Sequence, residues 1–340
     1  MKISLIIPTL NRATMLARTL LSIESQITDT DFEVIVVDNG STDSTKKVCE
    51  SFNESVNNLI YFYDDEPGLL TGRHKGIELS TGKILCFLDD DVELNDKYIQ
   101  GVFDVFSTDA EVHFATGPCL PEYEVTPPYW LDYFWVHINQ GKYCFWLSLL
   151  DLGDQKLIID PNLVFGLNFC VRKETALQLN GFHPDCIPDS LQKYQGDGET
   201  GLTMKAAENN LKAVYSPYLS LKHLVSKGRL TIEYFKKRAF YEGVSNSFTD
   251  LRISFTQNTV NKSLLQVLKD KIWPYYYLLK ISLKSIKSKA IPKEVKEMKK
   301  LLDIQNKAGY NFHQNEFKND EQIRKWVLRS SFWDYKLPPL

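Results

Sequence analysis

Four short runs, "KISLIIPT", "FEVIVVD", "LIYFYD" and "KILCFLD", are almost wholly apolar and rich in β-branched or aromatic residues. Polar stretches lie between them, and within these the apolar residues recur every three or four positions. Unbroken runs of this length suit strands buried on both faces. The spacing of Met15, Leu16, Thr19, Leu20 and Ile23 suits a helix with one buried side. Asn11 stands where it can cap that helix, and Val48 and Phe52 mark a second one. Strand and helix in strict alternation predict crossover units and a parallel sheet, hence an α/β fold.

The pattern changes after residue 100. "PPYWLDYFWVHINQGKYCFWLSLL" is dense in aromatics and has no clear period, so Trp130, Trp135 and Trp146 read as core rather than as sugar-stacking platforms. "GLNFCVRKETALQLNGF" reads as a strand and a short helix. "GDGETGLTMKAAENNLKAVYSP" reads as a loop, a helix with Leu202, Ala206 and Leu211 inward, and a short strand. From about residue 231 the chain reads as mainly helical. The expected division is a sheet domain over 1–230, in halves 1–115 and 116–230, and a helical region over 231–340.

In parallel sheets ligands bind beyond the carboxyl ends of the strands. Here those ends carry Thr9 and Asn11, Asp38, Asp64 and Asp65, and then Asp89, Asp90 and Asp91. Turn-forming residues are common at strand ends, which accounts for one or two of the four better than for all of them. The triple aspartate needs a reason of its own, because adjacent carboxylates repel. On an extended segment residues i and i+2 point the same way, so Asp89 and Asp91 aim at one point with Asp90 turned aside. Two carboxylates aimed together call for a cation or a shared proton. Oxygen ligands suit Mg²⁺ or Mn²⁺, which take one or two protein carboxylates and complete their shell with phosphate and water. A calcium loop would need Gly where Leu94 stands, and a phosphatase nucleophile motif would sit on the first strand. A solvated turn is the bland alternative.

Composition narrows the options. The chain has 340 residues and a formal net charge of −3, so no global field favours nucleic acid, and none is expected as a partner. The six cysteines are scattered without a C-x-x-C pair, which implies reduced, buried thiols rather than a disulfide framework or a zinc site. "ISLIIP" is too short for a leader h-region, and no stretch approaches the roughly 20 apolar residues of a membrane span. A cytoplasmic protein is the expectation.

Taken in order, "SLIIPTLNR", "VIVVDNGSTDST", "GLLTGRHKGIELSTGKILCFLDDDVEL", "FGLNFCVRKETALQLNGF" and "GDGETGLTMKAAENNLKAVYSP" resemble family-2 glycosyltransferases of the GT-A fold, over about residues 3–245. The resemblance implies a Rossmann-like, mostly parallel sheet flanked by helices, with a helical C-terminal extension. It implies a metal-dependent, inverting transfer of sugar from a nucleotide-diphospho-sugar to a hydroxyl of a glycan or glycolipid acceptor, with UDP as the default nucleotide and surface glycan synthesis as a setting. Residue by residue, it places Pro8, Thr9, Asn11, Arg12, Asp38, Gly68, Arg73, Asp89 and Asp90 at the nucleotide-sugar. It assigns Asp91 and His223 to the metal, Mn²⁺ or Mg²⁺. Asp197 matches the general base, with Glu199 as the alternate. The chain departs from the family pattern at His74, where an Asn is usual, at Gly72, and at Gly196, where the first acid of the acidic loop is missing. Each residue also has a structural reading. Asp38 could cap the turn after it, Asp197 could serve a glycine-flanked turn, His223 could be a satisfied strand-end histidine, and Arg73 could pair with Asp64, Asp65 or Glu66. Two rival functions are a nucleotidyltransferase, which would favour a Gly-rich, Lys-bearing loop where "TLNRAT" stands, and a catalytically silent nucleotide-sugar binder.

Residues 262–300 hold eleven Lys against three acids, a local net of +8. Tyr276, Leu279, Leu283 and Ile286 form one stripe, with Lys280, Lys284 and Lys287 off it. This predicts a basic amphipathic helix, able either to pack on the catalytic domain or to touch an anionic membrane peripherally on its inner face.

Overall fold

A computed structural model describes residues 1–56, 58–259, 291–334, 336 and 337. The first part alternates as the apolar runs predict. Strands β1 (Ile3–Thr9), β2 (Phe32–Asp38), β3 (Leu59–Tyr63) and β4 (Ile84–Leu88) alternate with helices α1 (Ala13–Glu24), α2 (Thr45–Phe52) and α3 (Leu69–Leu79). Then come β5 (Val92–Leu94), α4 (Tyr98–Thr108), β6 (Val112–Thr116), β7 (Cys119–Tyr123), β8 (Val136–Ile138), β9 (Gly141–Cys144), β10 (Leu149–Asp151), β11 (Leu157–Ile159) and β12 (Asn168–Arg172). The chain continues through α5 (Lys173–Gln178), α6 (Thr200–Glu208), β13 (Lys212–Tyr215), β14 (Leu221–Val225), α7 (Ile232–Thr259), α8 (Lys293–Asn319) and α9 (Glu321–Val327).

The main sheet has the order β11-β13-β6-β12-β4-β1-β2-β3. β1 pairs in parallel with both β2 and β4, and β2 with β3, as crossover connections require. β12 lies antiparallel between β4 and β6, and β11 antiparallel on β13, so the sheet is mixed but mostly parallel. Successive residues of β1 feed opposite faces. Leu5 and Ile7 join a core with Leu16, Leu20 and Ile23 of α1, and Ile6 joins one with Leu70 and Ile77 of α3. Leu211, expected on the inner face of α6, lies beyond its end, because Asn210 turns the chain at φ +54°.

The aromatic segment that lacked a period supplies β8, β9 and β10 of a second sheet, ordered β5-β14-β7-β10-β9-β8. Its strands are only three to five residues long, too short for an alternation to show. Trp130, Trp135 and Trp146 pack around Leu131, Phe134 and Phe235, so the core reading of these rings describes their place. Behind them α7 and α8 cross in close contact. A Cβ on Gly243 would fall 1.9 Å from Asn306 O, and one on Gly309 would fall 2.0 Å from Phe240 O. Only hydrogen at those two positions lets the backbones approach so closely.

The basic stripe of Tyr276, Leu279, Leu283 and Ile286 lies outside the described residues, and the charged run rejoins them at the start of α8. No helix among the described residues is long and apolar enough to cross a membrane. Cys186 differs from the buried-thiol expectation. It is exposed, whereas the other five cysteines are buried and free.

Candidate active site

The carboxyl ends of β1, β2 and β4 meet at one rim, and the loops there are clipped to one another. Asn11 does not cap α1, whose first residue is preceded by Arg12. Asn11 sits at φ +53°, and its Oδ1 accepts from Thr42 N at 2.8 Å, tying the loop after β1 to the loop after β2. The cap comes from a distance. Asp43 Oδ2 accepts from Ala13 N at 3.0 Å, while its Oδ1 accepts from Thr45 N at 3.0 Å. One carboxylate thus satisfies orphan donors at the starts of both α1 and α2. Asp38 is fully engaged too. Its Oδ1 accepts from Ser41 N at 2.7 Å and its Oδ2 from Tyr61 Oη at 2.8 Å. Pro8 lies at the end of β1 against α3, and Gly68 opens α3 at φ +104°.

At the tip of β4 the three aspartates divide. Asp90 faces back into the rim, where its Oδ2 accepts from Thr9 Oγ1 at 2.7 Å and its Oδ1 meets Arg12 Nε at 3.2 Å. Burial pushes its carboxyl up to about 7, against the pull of Arg12. Asp91 is completely buried. Its Oδ2 meets Arg12 Nη2 at 2.5 Å, Arg229 Nη2 at 3.0 Å and His223 Nε2 at 3.6 Å. Burial opposes its ionisation, but the guanidinium charges of Arg229 and Arg12 outweigh this and hold it below the usual carboxylate range. Asp89 is half-buried, and burial and the charge of Asp91 push it up, against Arg73 and Arg229.

Asp91 Oδ1 is buried and has no hydrogen-bond partner among the described residues. His223 Nδ1 donates to Leu147 O at 2.9 Å, which leaves Nε2 as the acceptor atom facing Arg229 and Asp91. A free carboxylate oxygen, an imidazole of fixed tautomer and a nearby second carboxyl fit a hard divalent ion. Among the described residues no group of three or more His, Cys, Asp or Glu forms a ready cage. The donor set therefore suits an ion that completes its shell with phosphate oxygens.

Arg73 and the acidic loop form the opposite wall. Arg73 is 3% exposed and donates to Glu199 Oε2 at 3.0 Å rather than pairing with Asp64, Asp65 or Glu66. Glu199 Oε1 accepts from Gly166 N at 3.1 Å, and the Glu199 side chain is 26% exposed. Burial opposes its ionisation, but the Arg73 charge prevails and holds Glu199 low. Asp197 is 8% exposed, with both oxygens taken. Its Oδ1 contacts His183 Nδ1 at 2.5 Å and its Oδ2 accepts from Thr249 Oγ1 at 2.7 Å. No local motif marks Arg229, His183 or Asp185. For α7 a signal existed: Arg238, Glu242, Ser245 and Thr249 recur at spacings of four, three and four, a polar stripe on one face.

Residues 4–156 match the family described as glycosyl transferase family 2. Validoxylamine A glucosyltransferase of Streptomyces hygroscopicus subsp. jinggangensis (strain 5008) is 35% identical over 120 residues, which are 34% of this chain and 28% of that protein. The GalNAc(5)-diNAcBac-PP-undecaprenol beta-1,3-glucosyltransferase of Campylobacter jejuni subsp. jejuni serotype O:2 is 32% identical over 127 residues, 36% of this chain and 40% of that one. The matched segments thus span well under two thirds of these relatives. The crystal structure of S. aureus TarS superposes with a TM-score of 0.51 at 18% identity, covering 93% of this chain and 55% of that one, which shows a shared fold. The match to glycosyl transferase family 2 thus lies in residues 4–156, within a chain that shares the fold of TarS.

Proposed function

We propose that the protein is a metal-dependent, inverting glycosyltransferase that moves a sugar from a nucleotide-diphospho-sugar, with UDP as the first nucleotide to test, to a hydroxyl of a glycan or glycolipid. The observation that carries this reading is Asp91, a buried carboxylate with one free oxygen, flanked by two guanidiniums at the strand tips. The relatives' names support the substrate class, since both transfer glucose and one names a lipid-diphosphate glycan.

Asp91 and His223 would hold Mn²⁺ or Mg²⁺, with Asp89 beside them. Such an ion offsets negative charge on a departing diphosphate. Arg12 and Arg229 already converge on Asp91, so both guanidiniums lie within reach of the phosphates and add fixed positive charge where negative charge develops. Thr9 and Asp90 fix the loop that carries Arg12. The clipped loops of Asn11 and Asp38 shape the nucleoside end. Glu199, ionised beside Arg73 and partly open to the cleft, accepts the proton of the attacking hydroxyl. That step is typically worth ~10²–10⁴-fold. Asp197 holds the loop through His183 and Thr249. A single displacement from the face opposite the leaving group inverts the anomeric carbon.

Calorimetry with UDP and Mn²⁺, beside a screen of nucleotide-sugars for hydrolysis, tests the reading. The expected result is UDP binding that needs Mn²⁺ and is lost in Asp91→Asn, with hydrolysis of at least one donor that stops in chelator. Binding or turnover indifferent to chelator would overturn the metal-dependent mechanism. Metal-dependent binding without hydrolysis or transfer would identify a silent binder.

A further inference from the structure

The stripe on α7 runs along the loop that leads into α6. Its lower half is bonded to that loop: Ser245 Oγ donates to Gly196 O at 2.7 Å, and Thr249 Oγ1 donates to Asp197 Oδ2 at 2.7 Å. On the flank of the stripe, Lys237 Nζ stands 3.0 Å from Asp189 Oδ2, and Tyr241 also reaches Asp189. The upper half is different. Arg238 and Glu242, one turn apart, make no hydrogen bond or salt bridge among the described residues, although both are half-buried. The Arg238 guanidinium lies 5.5 Å from the centre of the Phe145 ring, and both residues lie in the field of Asp185.

Asp185 is itself half-used. Its Oδ1 accepts from Gln195 Nε2 at 2.7 Å and from Cys186 N at 2.8 Å. Its Oδ2 takes no hydrogen bond among the described residues and faces Gly198, where a Cβ would stand 2.7 Å away. Glycine at φ +57° both allows that turn and leaves the oxygen uncovered. Asp185 lies against Gly198, the residue before Glu199, and Glu242 lies on the α7 stripe whose Ser245 bonds Gly196, so the three carboxylates flank one loop.

We propose that Arg238, Glu242 and Asp185 form the acceptor subsite and bind neighbouring hydroxyls of an uncharged sugar. This rests on the transferase reading above and names the acceptor chemistry of that site. Sugar hydroxyls both donate and accept, and the three side chains offer a fixed fork of donors beside two carboxyl groups with unused oxygens. An anionic acceptor group is disfavoured here, because Asp185, Glu199 and Glu242 outnumber Arg73 and Arg238. Burial lifts Glu242 to about 7, against the pull of Arg238, and burial and the charge of Glu199 lift Asp185. Phe145 supplies an apolar surface under the guanidinium.

The test uses the full chain, neutral p-nitrophenyl glycosides and the matching sugar 6-phosphates. Saturation-transfer NMR reads binding directly, and transfer kinetics read KM for each acceptor. In Glu242→Gln and Arg238→Ala the acceptor KM should rise about tenfold or more, with donor hydrolysis and UDP affinity unchanged, and Arg238→Lys should recover part of the loss. A thermal melt identifies any variant that fails to fold, and Asp185→Asn then gives an independent reading. An unchanged acceptor KM, an equal loss of UDP affinity, or tighter binding of the phosphorylated sugars would overturn the proposal. Glycoside binding that is lost in the variants, in a protein that binds no UDP, would keep the subsite and sink the transferase reading.

Discussion

Arg73 Nη1 stands 3.0 Å from Glu199 Oε2, joining α3 to the residue that opens α6. The guanidinium also lies 5.0 Å from the centre of the Phe182 ring, and a Cβ on Gly166 would fall 2.3 Å from its Nη2. The arginine is thus enclosed on several sides while its partner stays partly open. Breaking a buried pair from one side costs about 3–5 kcal/mol, and the openness of Glu199 puts this pair near the lower end. Arg73→Met should therefore lower stability by about 3 kcal/mol, read as a shift in denaturant midpoint at constant slope. Arg73→Lys should restore charge but not the planar fork, and so only part of the loss.

Glu199 and Asp197 should separate by what their substitutions damage. Glu199→Gln keeps one acceptor oxygen, for either Arg73 or Gly166 N, and cannot take a proton. Transfer should fall by ~10²–10⁴-fold with folding and nucleotide binding retained. Asp197→Ala strands His183 and Thr249 in a buried place and should cost about 2–4 kcal/mol. Asp197→Asn keeps an acceptor and should retain most of the turnover. A well-folded Asp197→Asn as slow as Glu199→Gln would move the base to Asp197.

The runs of β1 to β4 were legible because parallel strands are apolar on both faces, whereas β6 and β11 carried no such reading. "FEVIVVD" announces β2 without help from the rest of the chain. β8, β9 and β10 were not legible, because strands of three or four residues carry too few positions to show a period. At the site, the residue types were visible but their partners were not. Asn11 reads as a cap and instead clips Thr42. Arg73, whose structural alternative was a surface pair with Asp64, Asp65 or Glu66, instead reaches a residue far along the chain. Arg229 and Asp185 become functional candidates only because β14 and the loop before α6 return to the tip of β4 and to Arg73. Such convergence over long separations leaves no local trace.

Asp43 joins two helices to the rim without touching the proposed substrate. Its Oδ2 serves Ala13 N, and its Oδ1 serves Thr45 N together with Thr45 Oγ1 at 2.5 Å. Losing a cap costs about 1 kcal/mol, and two caps fail together in Asp43→Ala, so a loss of about 2 kcal/mol is expected. Asp43→Asn keeps one acceptor and should lose less than half of that. The Asn11 loop packs on the same segment, so Asp43→Ala should also weaken UDP binding. Calorimetry at a temperature well below the melting transition measures that effect apart from stability.

His74 should make the fold sensitive to acid, with a sign fixed by its bonds. Its Nδ1 donates to Phe332 O at 3.3 Å, its Nε2 accepts from Phe182 N at 3.0 Å, and its ring stacks on Trp333 with centroids 4.0 Å apart. A second ring proton would meet the Phe182 N–H head-on. Burial, with the charges of His183 and Arg73 adding to it, holds the imidazole down at about 3, against the bond to Phe332, whereas the unfolded chain titrates near 6.5. The unfolded state therefore binds more protons between those values. The His74 contribution is fully present above about pH 6.5 and is lost as pH falls toward about 3, at about 1.4 kcal/mol per pH unit. Comparing wild type with His74→Phe removes the other titrating groups from the account. The stability difference should be flat above neutrality and shift steadily in favour of the variant below it, in urea titrations at successive pH values. A difference that stays level from pH 7 to pH 4 would mean that the tail carrying Phe332 and Trp333 does not hold His74 neutral.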